Sequence, residues 1–146
     1  MADRLPAATT LEVKDRCLCL HLQRAARLVA RRFDEAFRPF GLTNGQFSLM
    51  MALNRPEPPR MRDVAPFLAM DRTTLTAALK PLERRGLVSV FADNKDKRVK
   101  RLGLTAAGRH LLADAVPVWR RTHDDLDDLF EAGGPERLRG DLRKVG

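Results

Sequence analysis

Apolar residues recur at spacings of three and four from Leu18 through Leu22, Ala25, Val29, Phe33 and Ala36 to Phe40, the period of an amphipathic helix. Thr9 followed by Glu12 has the form of a capping box, in which two side chains satisfy orphan amide donors at a helix start. The pattern predicts one long helix over residues 11–40, stopping before Gly41, with a flexible arm at residues 1–10 that contains Pro6. Thr43 and Gln46 repeat the capping signature and open a short apolar helix through Phe47, Leu49, Met50 and Leu53. The run Pro56-Glu57-Pro58-Pro59 ends it.

Two short helical patterns follow, Met61 to Leu68 and Arg72 to Arg85, joined by Ala69-Met70 with Asp71 as N-cap of the second. This is helix-turn-helix spacing. Gly86 supplies a left-handed stop, Leu87 to Phe91 turn β-rich, and a polar tip from Asp93 to Arg98 leads to a return strand at Val99 to Leu104. Thr105 then caps a last long helix through Gly108, Leu112, Ala115, Trp119, Thr122, Leu126 and Leu129, interrupted by Pro117. Gly133-Gly134-Pro135 separates a terminal helix at Glu136 to Lys144. The expected fold is mainly α with a small β-hairpin wing (α+β). It is a winged helix-turn-helix at residues 43–104, within a single unit spanning residues 11–146, flanked by helical dimerisation regions at residues 11–40 and 105–146. The winged helix covers only part of the two long stripes, so residues 11–40 and 118–144 are expected to interlock in a two-fold homodimer.

With 146 residues the chain makes one domain rather than several. Its formal charge of +8 points to a polyanionic partner. The charge is uneven: residues 1–60, 61–104 and 105–146 carry net +4, +5 and −1. The middle share coincides with the helix-turn-helix and wing, which marks double-stranded DNA as the partner. Lys80, Arg84, Lys95, Lys97 and Lys100 suit phosphates. Arg72, Thr73, Thr74 and Thr76 open the second helix of the motif, where compact hydrogen-bonding side chains reach base edges in a major groove. Arg98 at the hairpin tip suits the minor groove, where the negative potential is focused. Asp96 is expected to support the wing by orienting Arg98 or Arg72 through a charge-assisted hydrogen bond.

Enzymatic chemistry finds little footing. Serine occurs only at 48 and 89, tyrosine is absent, and the nine glycines form no phosphate-cradling loop. His21, His110 and His123 have no mutual metal-ligand spacing. No cofactor and no metal is expected. The longest apolar run, Leu49 to Leu53, is too short for a bilayer, so no membrane partner is expected either. The start lacks a secretory apolar region, which with only two cysteines makes the expected location cytoplasmic.

Taken in order, Gly41-Leu42-Thr43 with Gln46-Phe47, Asp71-Arg72-Thr73-Thr74-Leu75-Thr76, Leu82-Glu83-Arg84-Arg85-Gly86-Leu87-Val88, Asp93 with Asp96 and Arg98, and Leu104-Thr105 with Gly108 resemble the MarR family of bacterial winged-helix regulators. The resemblance implies a homodimeric repressor, less often an activator, that binds pseudo-palindromic operators and releases them on binding a small molecule or on thiol oxidation. Pro66 and Pro81 depart from the usual pattern by removing an amide donor inside the two helices of the motif.

The signal is less legible. Cys17 and Cys19 suggest thiol-based sensing, since the organic-peroxide branch of the family carries a reactive cysteine in its first helix. That branch holds its cysteine with tyrosines, and this chain has none. Two small apolar side chains in the core or at an interface are the plainer reading. A Cys-x-Cys metal site fails because the two side chains point nearly opposite ways on a helix. The other expectation, which the resemblance favours, is a small aromatic or amphipathic anion in a cleft with His21, Arg24, Arg27 and Trp119 as its cationic or stacking wall. A reading from another class is a helical dimer that binds protein partners without DNA.

Overall fold

The computed structural model describes residues 5–146, all but the first four residues of the expected arm. Its elements are α1 (Ala7–Arg16), α2 (Leu18–Phe37), a 3-10 turn (Arg38–Phe40), α3 (Asn44–Ala52), α4 (Met61–Phe67), α5 (Arg72–Arg84), β1 (Val88–Ala92), β2 (Lys100–Leu104), α6 (Ala106–Asp127) and α7 (Gly134–Leu142). The order is that of a winged helix-turn-helix between helical extensions, as expected.

The first stretch differs from expectation. From Ala7 the chain is helical rather than a loose arm, and Pro6, not Thr9, is the N-cap, so the Thr9–Glu12 capping box does not form. Proline serves there because its missing N–H would have lacked an intrahelical partner anyway. The single long helix is two helices, broken where Cys17 takes an extended conformation at ψ 101°. Leu18 is 61% exposed, and burial on α2 begins only at Phe33 and Phe37. The terminal helix begins at Gly134 rather than Glu136.

The other local signals operate as read. Thr43 and Gln46 form both halves of a capping box, with Gln46 N donating to Thr43 Oγ1 at 3.1 Å and Thr43 N to Gln46 Oε1 at 3.0 Å. Asp34 on α2 accepts from the backbone N–H and the side-chain amide of Asn44 at 2.7 and 2.9 Å, fixing the start of α3. Both prolines of the helix-turn-helix stay inside their helices, and α4 still begins at Met61. Gly86, at φ 67°, ends α5. Its neighbour Leu87 N donates back to Leu82 O at 3.0 Å, the closing bond of a left-handed helix stop. Ala69, in the turn of the motif, also has positive φ, at 52°.

β1 and β2 pair antiparallel with Val88 opposite Leu104 and Ala92 opposite Lys100. Residues 59–60 add a short third edge, since Leu102 N donates to Pro59 O at 2.9 Å and Arg60 bridges Arg101. The core gathers Phe33, Phe37, Leu42, Phe47, Met50, Val64, Leu75, Leu79, Leu82, Leu102, Leu112 and Ala115. It lies between the winged helix and the inner halves of α2 and α6. α1 and α7 bury no residue at all. No helix among the described residues is long and apolar enough to cross a membrane.

Candidate nucleic-acid interface

α5 begins at Asp71, whose carboxylate accepts from Thr74 N at 2.7 Å and from the Thr74 hydroxyl at 3.0 Å. These hydrogen bonds lower the Asp71 pKa, so the cap stays ionised. Arg72 and Thr73 follow, both exposed. The Thr76 hydroxyl donates to Arg72 O at 2.8 Å. Of the four residues expected to read bases, Thr74 and Thr76 therefore commit their hydroxyl protons within the helix, leaving oxygen lone pairs outward. Arg72, Thr76 and Lys80 share one helical face and line a cleft of about 340 Å³ with Lys100 and Glu83.

The wing is held by a residue that sequence reasoning underrated. Asp93 is the one buried charged residue among those described, 8% exposed. Its carboxylate accepts from Arg101 Nε and from the backbone N–H groups of Lys95 and Asp96, each of these two at 3.1 Å. The Arg101 hydrogen bond, then the Asp96 amide, bring its pKa down to about 2. Arg101 also donates to Pro58 O at 2.7 Å, so one guanidinium ties hairpin tip, β2 and the segment before α4 together. At the tip itself, Asp96 accepts from Arg98 Nε at 3.1 Å and Nη2 at 3.3 Å. Hydrogen bonds from Arg98 depress the Asp96 carboxyl pKa despite the repulsion of Asp93. The Arg98 side chain remains 91% exposed, projecting from a fixed base.

Arg98, Arg72 and Lys100 converge on a second cleft of about 340 Å³ between wing and motif, floored by Met61, Ala65, Pro66, Met70 and Val99. Arg60 and Arg62 complete its rim. Neither was singled out in the sequence, because their approach depends on the third edge pairing with β2. Lys95, Lys97 and Arg84 are exposed on the wing and late α5. Two other cations of the basic block are tied to the protein's own carbonyls: Arg101, as above, and Arg85, which stays exposed but donates to Gly41 O at 2.6 Å and Phe40 O at 3.2 Å.

The residues expected to form an effector wall are not brought together. Trp119 stacks on Phe47 with ring centroids 6.4 Å apart and meets His123 at a tilt of 51° with centroids 5.0 Å apart. It lines a groove of about 630 Å³ with Phe47, Met51, Arg55, Phe67, Val116 and Arg120. His21, Arg24 and Arg27 are exposed on α2 and are not part of that lining. The expectation grouped them by side-chain chemistry, following the family resemblance, whereas the groove is assembled by α3, α4 and α6. Cys17 is half-buried and Cys19 exposed. Their sulfurs accept from different donors, Leu20 N at 3.4 Å and Gln23 Nε2 at 3.2 Å. Among the described residues no cluster of three metal-ligating side chains occurs.

A helix-turn-helix with a cationic wing, its recognition helix leading with exposed Arg72 and Thr73, defines a DNA-binding protein of the winged-helix class. The MarR family model matches residues 42–100. The chain is 38% identical to the Mycobacterium tuberculosis transcriptional regulator MosR, solved in complex with DNA, over 89% of this chain and 93% of that one, with TM-score 0.81. It is 29% identical to the transcriptional repressor CouR, solved on a 23-mer duplex, over 91% and 94% of the two chains, with TM-score 0.83. Among curated relatives, the transcriptional activatory protein BadR of Rhodopseudomonas palustris is 31% identical over 72% of this chain, which spans 61% of BadR. The chain belongs to the MarR family and is a DNA-binding transcription regulator, a family of regulators rather than enzymes.

Proposed function

We propose that the protein is a homodimeric repressor of a pseudo-palindromic operator, released by a small aromatic or amphipathic anion. The observation that carries the DNA reading is the convergence of Arg60, Arg62, Arg72, Arg98 and Lys100 on one cleft between motif and wing. In this reading Arg72 and Thr73 reach base edges in the major groove, with the Thr74 and Thr76 oxygens as acceptors. Lys80, Arg84, Lys95, Lys97 and Lys100 neutralise phosphates, and Arg98, aimed by Asp96, enters the minor groove. CouR, a transcriptional repressor, supports that direction of regulation; BadR, an activatory protein, is the contrasting relative.

The homodimer is supported by apolar surface on and beside the N- and C-terminal helices. Leu11, Leu18, Leu129 and Val145 are 57%, 61%, 65% and 62% exposed, more than a monomer leaves uncovered without reason. Two copies place two recognition helices about one helical turn of DNA apart, ~34 Å. The effector reading rests on the Trp119 groove, where Phe67 and Trp119 offer aromatic faces and Arg55 and Arg120 offer positive charge. A ligand there, wedged between α6 and the motif, shifts the population toward a half-site spacing that mismatches the operator.

Gel-shift titration against the chain's own upstream DNA, at several salt concentrations, tests the reading. Affinity that falls steeply with salt, and falls again in Arg98→Ala and Thr73→Ala with the dimer intact, is the expected result. Salt-insensitive binding, or variants that bind as wild type, defeats it and leaves a protein-interaction module as the better account.

A second reading, thiol-based release, is favoured by one feature. Cys17 stands at the break between α1 and α2 with its sulfur capping α2. Peroxide treatment that abolishes DNA binding in wild type but not in Cys17→Ser or Cys19→Ser supports it; equal sensitivity of all three removes it.

A further inference from the structure

Apart from Arg60, the basic residues behind the +4 excess of the first 60 residues have no place in the DNA interface described above. Much of it lies on α2, where residues 24–32 hold four arginines and no acid. Arg24, Arg27 and Arg31 recur at three and four, so they form one stripe about 10 Å long on the face opposite buried Phe33 and Phe37. The end of α6 has the opposite character. Residues 124–131 hold five acids and no base. Asp124, Asp125, Asp128 and Glu131 are exposed there.

Within one chain only Asp127 of these groups is paired, with Arg139 at 3.6 Å and His123 at 3.4 Å. Among the described residues neither Arg24, Arg27 and Arg31 nor Asp124, Asp125, Asp128 and Glu131 form an ion pair, although Arg16, Arg38, Arg139 and Lys144 all do. Arg27 and Arg31, like Asp124 and Asp128, are like charges one turn apart, which weakens an isolated helix. Exposed apolar side chains accompany each stripe: Leu20 and Leu28 on α2, Leu129 and Phe130 beyond α6. An apolar seam flanked by charge of one sign is the arrangement that sets partner choice where helices associate.

We propose that the Arg24–Arg27–Arg31 stripe docks on the acidic end of α6 in a second copy of this chain, and that this charge match selects self-association over pairing with related regulators. The proposal rests on the homodimer reading. Two-fold symmetry uses the match twice, since each copy offers one arginine stripe and one acidic end. The complementary segments stand on elements outside the winged helix, so partner choice is separated from operator choice.

Two full-length variants test it: R24E/R27E/R31E, and D124K/D125K/D128K, each checked for native helix content. Analytical ultracentrifugation is expected to show each dimerising at least about 30-fold more weakly than wild type at low salt, with the gap closing in 1 M salt. Mixed, they are expected to form a heterodimer in which both contacts are again attractive, read as the intermediate mass in native mass spectrometry. A dimeric wild type whose variants dimerise equally well, or mix statistically, overturns the charge match alone. A monomeric wild type overturns it together with the homodimer reading. An arginine variant that stays dimeric but binds non-operator DNA more weakly assigns the stripe to phosphates and overturns it as well.

Discussion

Gly108 offers a test in which local and tertiary effects predict opposite signs. It lies in the first turn of α6, where Thr105 Oγ1 accepts from its N–H at 3.0 Å. On helix propensity alone, Gly108→Ala stabilises by up to ~1 kcal/mol. The tertiary structure forbids it: an added Cβ falls 2.1 Å from Leu87 O and 3.0 Å from Leu87 C. Ordinary carbon–oxygen contact begins near ~3.3 Å, so the overlap is roughly 1.2 Å, and it is with backbone, which cannot rotate away. Leu87 O is further pinned by Thr105 N at 3.1 Å, and the Thr105 hydroxyl donates to Gly86 O at 2.6 Å. Relief requires α6 to slide off the β1 root. That slide costs about 1–3 kcal/mol in overpacking and weakens two hydrogen bonds worth ~1 kcal/mol each. The net expectation is a loss of about 1–3 kcal/mol. With a urea dependence near ~2 kcal/mol per molar, the unfolding midpoint falls by roughly 0.5–1.5 M, measured at matched protein concentration because the stability of the proposed dimer would depend on it. A midpoint that rises would show that propensity outweighs the contact and would refute the claim that Gly108 is required for backbone approach.

Ala69→Gly should act in the other direction. Removing the Cβ from a residue at φ 52° relieves ~1–2 kcal/mol of left-handed strain against ~0.5–1 kcal/mol of added chain entropy, so differential scanning calorimetry should show a thermal midpoint a few degrees higher; a lower one counts against strain in the turn. For Asp93, a folded pKa of about 2 beneath its ordinary 3.8 means its contribution is complete above about pH 4 and is lost as pH falls through about 2. Acid titration followed by circular dichroism should therefore show wild type losing stability across that window while Asp93→Asn, already weaker at pH 7, loses less; parallel curves would remove the ion pair from the account. Lys100→Ala should flatten the salt dependence of operator binding by about two units of slope, about one per half-site, with the ranking of DNA sequences preserved, whereas Arg72→Ala should cost about 1–3 kcal/mol per half-site and narrow the operator's margin over random DNA. Competition binding in a salt series distinguishes them, and equal behaviour of the two variants would contradict the division between phosphate and base contacts.

The reading from sequence succeeded where one short segment holds all the determinants of its own conformation. Thr43 with Gln46, Asp71 before α5, Gly86 after it and Thr105 before α6 each satisfy backbone groups within a few residues, so side-chain chemistry and spacing suffice. It failed at Thr9 and Glu12, where the same capping pattern is bypassed because Pro6 starts the helix earlier. It failed again at Cys17, where nothing in the three-and-four spacing marks a break. The candidate site was legible in part. Basic residues near the wing could be counted, but their division could not: Arg101 and Arg85 are tied to carbonyls 43 and 44 residues away, while Arg98 and Lys100 face outward.

The sequence by itself determined the order of helices and strands, the helix-turn-helix and hairpin, and the concentration of positive charge upon them. Periodicity, caps and glycine stops act over single turns and need no distant partner. Only the tertiary structure decided which charges remain available, since pairing Pro59 and Arg60 with β2 brings Arg60 and Arg62 to the cleft and draws Arg101 onto Asp93. It also decided where the aromatic groove lies and how much of α2 and α6 stays uncovered. Those outcomes depend on packing between segments far apart in the chain, where distance in space rather than spacing in sequence sets the interaction.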